Sequence, residues 1–272
     1  MSESLHIPYI DEGFSVSHAE NCHLALQLIG DAYSMAIFCP EQHLRLMLQW
    51  QGEDRDSRVD HILSLQYVSR KVSLELQPST LVPQDLFDLE HLDDLYPILG
   101  LDKSTHLLHV DHIPHEKIVV ISGLENKRSD QVHNAFPKEK IVASASAFLN
   151  AVLASSVNDQ ASLYINFAGK FTEFIYIQDG QLIFFSQFPN NDVDEFNYFL
   201  LSCAQELGIQ LEDIVLSLSG SISSGDEYYL RCKKYNKEVR FSSPNAFIDQ
   251  ELPSQLPEPH RFFSLFGLTL CV

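Results

Sequence analysis

His23-Leu-Ala-Leu-Gln-Leu-Ile-Gly-Asp-Ala-Tyr-Ser-Met-Ala-Ile-Phe-Cys39, continued by His43-Leu-Arg-Leu-Met-Leu-Gln-Trp50, is the stretch on which the fold turns. Leu24, Leu26 and Leu28 alternate with other residues, which gives a strand one apolar face. Gly30-Asp31 is a turn signal. Tyr33–Cys39 reads as a second strand, and Leu44, Leu46 and Leu48 line one face of a third. The stretch is therefore a three-stranded meander.

Residues 161–188 repeat it. Leu163, Ile165 and Phe167 alternate before Gly169, Thr172–Ile177 follows as a strand, Asp179-Gly180 is a hairpin turn, and Gln181–Phe188 closes the unit. With Gly30 laid on Gly169, an offset of 139 and no gap, Leu24 meets Leu163, Leu26 meets Ile165 and Leu28 meets Phe167. Further on, Ile37 meets Tyr176, Gln42 meets Gln181, Leu44 meets Ile183 and Leu46 meets Phe185. A repeat of this kind implies two halves of one design. We place them at residues 1–157 and 158–272, with the apolar end around Phe262, Phe263, Leu265 and Phe266 docking back on the core.

Each meander is followed by helices and further strands. Residues 60–77 read as helix then strand, and Ser79–Pro83 leads into a short helix near Asp85–Leu89. His106–Val110 and Ile118–Ile121 read as strands, Ser122-Gly123 as a strand-to-helix turn, and Ser129–Phe136 as a helix. In the second half Asp192 caps a helix from Val193 to Leu207 that Gly208 stops, and Asp213–Leu218 is a strand ending in Ser219-Gly220-Ser221.

A strand, a glycine turn, two more strands and then helices, all occurring twice, resembles the actin-like ATPase (ribonuclease H-like) fold, an α/β class with mixed sheets. Thr80-Leu-Val-Pro83, the strand carrying Asn166, the helix carrying Asp194 and Tyr198, and Leu216-Ser-Leu-Ser-Gly220 follow in that order. Together they resemble a bacterial family of unknown function, domain-of-unknown-function family 3822. In the superfamily each half offers a phosphate loop of the form Asp-x-Gly, and a later glycine loop contacts the adenosine. The resemblance thus makes Gly30, Asp31, Gly169, Lys170 and Gly220 the candidate nucleotide-binding residues.

The chemistry of those loops is degenerate. The family's Asp positions, two before each glycine, hold Leu28 and Phe167, and neither can hold a hydrated Mg²⁺. Asn166 lies one residue out of register and so faces the other way on a strand. The chain has 11 glycines and neither of the glycine-rich phosphate motifs. Asp31, Asp111, Asp192 and Asp194 are the carboxylates near predicted turns that could substitute.

Other constellations are weaker. His106, His109, His112 and His115 are spaced by three, but on a strand that spacing throws successive rings to opposite faces. Motifs for a nucleophilic serine or a helical zinc site are absent. The acidic run Asp85, Asp88, Glu90, Asp93 and Asp94 reads as a solvated face, as does the basic stretch Arg231, Lys233, Lys234 and Lys237.

The 272 residues carry 18 Lys+Arg against 37 Asp+Glu, a net charge of −19, with 45% hydrophobic and 20% charged residues. This is a globular composition whose charge argues against nucleic-acid or anionic-membrane partners. No apolar stretch approaches the ~20 residues of a membrane helix, and Met1–Tyr9 has no signal-peptide character. Cys22, Cys39, Cys203, Cys232 and Cys271 are odd in number and widely spaced, and are expected as reduced thiols in a cytoplasmic protein. The expectation is a non-catalytic actin-like protein that acts through an unidentified protein partner and has no cofactor. Its rival is an ATP-binding protein, ATPase or kinase of the same fold that retains nucleotide and Mg²⁺ binding.

Overall fold

The computed structural model describes residues 5–39, 43–52, 56–113, 116–137, 139–156, 161–248 and 251–271. The first meander is β2 (His23–Ile29), β3 (Ala32–Cys39) and β4 (His43–Gln51), with β1 (His6–Ile10) added antiparallel to the edge of β4. Helix α1 (Ser57–Ser64) leads to β5 (Ser69–Leu74), which runs parallel to β2. An inserted sheet follows, built from β6 (Ser79–Pro83), β7 (His106–Ile113) and β8 (Ile118–Glu125), with the short α2 (Leu95–Ile98) between its first two strands. Strand β8 runs through Ser122-Gly123, where a strand-to-helix turn was expected, and α3 (Asn126–Ala135) starts only after Glu125. Strand β9 (Lys140–Ala143) and α4 (Ser144–Ser155) complete the half.

The second half comprises β10 (Ser162–Ala168), β11 (Phe171–Gln178), β12 (Gln181–Pro189), α5 (Val193–Leu207), β13 (Val215–Gly220), α6 (Glu227–Tyr235), β14 (Val239–Phe241) and α7 (Phe263–Gly267). The two large sheets have the orders β1-β4-β3-β2-β5-β9 and β12-β11-β10-β13-β14. Leaving β1 aside, both run third-second-first-fourth-fifth, so the duplication extends to topology.

The register makes the duplication quantitative. Ile29 pairs with Ala32 and Ala168 with Phe171, both displaced by 139. Both second hairpins carry a bulge at the same place, after Ile37 and after Tyr176. The third strands differ from the ungapped alignment. Ile37 pairs with Leu46 and Tyr176 with Phe184, so Leu46 corresponds to Phe184, not Phe185, and Leu44 to Leu182, not Ile183. The cause is the turn. Cys39 and His43 flank three residues, whereas Asp179-Gly180 is a two-residue loop with both residues at positive φ. One residue of slip exchanges strand faces, and burial agrees: Leu44 is 4% exposed and Ile183 51%. Gln42 lies outside the described residues.

Each half's last helix packs on the other half's sheet. The α4 side chains Phe148, Leu149 and Val152 cluster with Tyr164, Ile175 and Ile177 of the second sheet. From α7, Leu265 and Phe266 cluster with Ala25, Ala36, Phe38 and Met47 of the first. The rings of Phe148 and Phe263 meet edge-on at 6.2 Å, and those of Phe38 and Phe266 at 5.3 Å. The Ala/Ser-rich composition of α4 is what lets α7 approach. Asp111 of β7 ties the inserted sheet to this junction, accepting from the Ala143 N–H at 2.8 Å and the Ser146 hydroxyl at 2.7 Å.

The expectation of five reduced thiols is corrected: Cys22 and Cys39 form a disulfide, with Cα atoms 4.0 Å apart. The β2–β3 register places His23 opposite Phe38 and therefore Cys22 opposite Cys39. The cytoplasmic expectation loses the support it drew from unpaired cysteines. Cys203, Cys232 and Cys271 are free and buried, and burial pushes each thiol up to about 12. The bridge closes a loop of sequence separation 17. Reducing it, or making Cys22→Ser with Cys39→Ser, is expected to cost about 3 kcal/mol, read as a lower urea midpoint. No helix among the described residues is long and apolar enough to cross a membrane.

Candidate functional site

The two first hairpin turns meet face to face. Gly30 has φ +60° and Gly169 φ +64°, a region where a Cβ is strained. A Cβ on Gly169 would lie 2.8 Å from Ile29 Cγ2 and 3.4 Å from a carboxylate oxygen of Glu75. Glu75 follows β5 directly, and its Oε2 accepts the Gly30 N–H at 3.0 Å while its Oε1 accepts from Gln77 at 3.1 Å. A side chain of the protein therefore occupies a backbone donor of the candidate loop. Beside this contact is a cavity of about 470 Å³ lined by Gly30, Glu75, Lys127, Arg128, Gln131 and Lys170, among others.

Of the five candidates, Gly30, Gly169 and Lys170 are thus brought together. Asp31 is exposed at its turn, where its carbonyl accepts the Gly52 N–H at 2.9 Å. Gly220 pairs with Phe167 in the sheet and does not line that cavity. Its φ is +82°, and a Cβ there would lie 2.4 Å from the Phe167 carbonyl oxygen.

Leu28 and Phe167, where the resemblance leads one to expect carboxylates, are 2% and 3% exposed and belong to the cores of their halves. Phe167 packs against Phe196 and Tyr228, with ring centroids 5.4 Å apart in each pair. The substitute carboxylates do not converge either. Asp192 caps α5, accepting from the N–H groups of Asp194 and Glu195, and Asp194 pairs with Arg231 at 2.9 Å. Asp111 is committed to α4, with His109 3.0 Å away. His112 packs edge-on against Phe87, His115 lies outside the described residues, and no metal-ligand cluster occurs among the described residues.

Sequence reasoning missed one buried acid. Glu173 of β11 is 1% exposed, accepting from Asn166 at 2.7 Å and Gln187 at 3.0 Å. The Asn166 carbonyl oxygen in turn accepts from Ser219 at 3.0 Å. By the 139 offset Glu173 corresponds to Ser34, so the network belongs to the second half alone. An acid inside the apolar run Phe171–Ile177 was the available signal. Burial raises its pKa, the two amide donors oppose that rise, and Glu75 adds to it. Because the folded carboxyl keeps its proton to higher pH than an unfolded Glu near 4.3, roughly, its contribution favours the fold below that value. The contribution is lost as pH rises through the folded pKa. Glu173→Gln is expected to remove this slope from the pH dependence of the urea midpoint.

The model of a family described as protein of unknown function (DUF3822) matches residues 11–239. The chain belongs to the DUF3822 family. No curated protein matches it. Among solved structures, this DUF3822 chain is similar to a Bacteroides thetaiotaomicron protein with an actin-like ATPase fold and unknown function. The TM-score is 0.73 at 17% identity, over 88% of this chain and 99% of that one. It is also similar to a chain of a PilM-PilN type IV pilus biogenesis complex, with TM-score 0.57 at 14% identity, over 91% and 97%. These likenesses establish the actin-like fold of this DUF3822 member.

Proposed function

We propose that this chain is a non-catalytic member of the actin-like fold that works through contacts with other proteins. The observation that carries this reading is the Glu75 carboxylate on the Gly30 N–H, with Gly169 packed against Ile29. Phosphate loops bind phosphate through such N–H groups, and here an internal acid takes one and repels an incoming anion. Leu28 and Phe167 are in the cores, and of the carboxylates lining the cavity, Glu75 and Glu125, the first is already held by the Gly30 N–H and Gln77, which leaves a poor fit for a Mg²⁺–nucleotide. A chain of similar fold solved within a two-protein complex adds support for a contact role.

One observation favours nucleotide held without turnover: Lys127, Arg128 and Lys170 share the cavity. Phosphate release from ATP with Mg²⁺ decides against catalysis or for it. The expected rate is that of buffer alone, and turnover abolished by Lys170→Ala overturns the proposal.

A further inference from the structure

The second sheet has two unlike faces. Leu163, Ile165, Leu216 and Leu218 pack with Phe196 and Leu200 of α5 in the core of their half. The residues between them face the other way, and Tyr164 clusters with Phe148 and Val152 of α4. Toward the edge strand β14 that second face turns polar. Parallel register sets Tyr164 beside Ser217 and Ser217 beside Arg240, and Ser242 follows two residues after Arg240. Tyr164, Ser217 and Ser242 are buried, whereas Arg240 is exposed. All four line a cavity of about 280 Å³, which shares no lining residue with the cavity beside Gly30 and Glu75.

The cavity holds a surplus of hydrogen-bond donors. The Ser217 and Ser242 hydroxyls lie 2.9 Å apart, and one proton makes that bond, so the other is left to donate. Burial raises the Tyr164 pKa, and the adjacent Arg240 guanidinium opposes that rise through its charge and a hydrogen bond. A guanidinium can only donate, so the phenol oxygen accepts and its own proton is unspent. The Arg240 fork carries further N–H groups. The Ser155 hydroxyl, by contrast, is spent on the Ala151 carbonyl. Among the described residues no carboxylate lines the cavity. Buried donors are costly without acceptors, and a group that only accepts would satisfy these.

We propose that this cavity binds a small monocarboxylate, its oxygens held by the Arg240 fork and by the Tyr164 and Ser217–Ser242 hydroxyls. One guanidinium neutralises one negative charge, and its planar fork matches a carboxylate. A phosphate dianion would keep a surplus negative charge in a chain whose net charge is already −19. Ala246 and Phe263 give the cavity an apolar wall, which suits a short hydrocarbon body. At about 280 Å³ it is smaller than the roughly 300–1,000 Å³ of common ligand pockets, so the body is small. Ser155 ends α4 and Phe263 begins α7. The carboxylate therefore sits where the helices that join the halves meet.

Ligand-observed NMR titration of the full chain with acetate, butyrate and benzoate tests this, with the amide of each acid as its uncharged counterpart. At least one acid is expected to bind at millimolar concentration, its amide to bind about tenfold more weakly or worse, and inorganic phosphate to fail to displace it. Arg240→Gln is expected to weaken that binding by about tenfold or more, and Tyr164→Phe by about threefold to tenfold. Circular dichroism and the thermal midpoint check that each variant is folded. Lys170→Ala, in the other cavity, is expected to leave the binding unchanged. The proposal is overturned if none of the three acids binds, or if amide and acid bind alike. Binding that survives both Arg240→Gln and Tyr164→Phe, that disappears with Lys170→Ala, or that phosphate displaces overturns it as well.

Discussion

Phe167→Asp is expected to unfold the protein rather than to rebuild a metal site. The substitution restores the superfamily's residue type at its position, so the loop pattern alone would count it as a repair. The surroundings decide otherwise. Phe167 is 3% exposed and packed between Phe196 and Tyr228. Losing a buried aromatic costs about 3–5 kcal/mol, and a carboxylate left there without a partner adds a desolvation penalty. Together these approach the whole stability of a domain, roughly 5–15 kcal/mol. Phe167→Leu retains an apolar side chain and is expected to cost about 1–2 kcal/mol. Urea unfolding followed by circular dichroism separates the two. A folded Phe167→Asp chain stabilised by Mg²⁺ would show that the position faces the cleft.

Gly267→Leu is expected to cost about 3 kcal/mol or more, at the upper end of overpacking effects. A Cβ at Gly267 would lie 2.3 Å from the Ala147 carbonyl oxygen and 2.7 Å from Ala151 Cβ, both on α4. The first obstacle is helix backbone, which cannot rotate away as a side chain can. Any larger residue must push α7 from α4, and these helices carry Phe148, Phe263, Leu265 and Phe266 into the packing between the halves. Gly225→Ala is the control. Nothing lies within 4 Å of a Cβ there, and the expected change is within about 0.5 kcal/mol. Equal urea midpoints for the two variants would refute the tight helix junction.

The topology was legible because turn chemistry is local. Gly30-Asp31 and Asp179-Gly180 announce their hairpins, and the 139 offset follows from the first glycine of each meander. The disulfide was legible in principle and was missed. In a hairpin turning at Gly30-Asp31 paired residue numbers sum to 61, as do 22 and 39. Cysteine counting ignores register. The one-residue slip in the third strands was hidden, because an ungapped alignment of alternating apolar residues looks equally good on either face. The site itself was beyond the sequence. Glu75 meets Gly30 across 45 positions, and the Glu173 network joins Asn166, Gln187 and Ser219 from three other strands. Nothing local marks such partners, since they are chosen by tertiary packing. The apolar residues at Leu28 and Phe167, where the resemblance leads one to expect carboxylates, stand in the sequence itself.

A thermal-shift titration with ATP and ADP, each with and without Mg²⁺, tests the central claim most directly. A ligand that binds only the folded chain must raise the midpoint, by about 2.7 kcal/mol of stability at a hundredfold excess over its Kd. The closed loop pair and the internal Glu75 carboxylate predict no shift at millimolar nucleotide in any of the four conditions. A midpoint that rises only when Mg²⁺ accompanies the nucleotide would contradict the account, because it would require metal-holding carboxylates in the cleft.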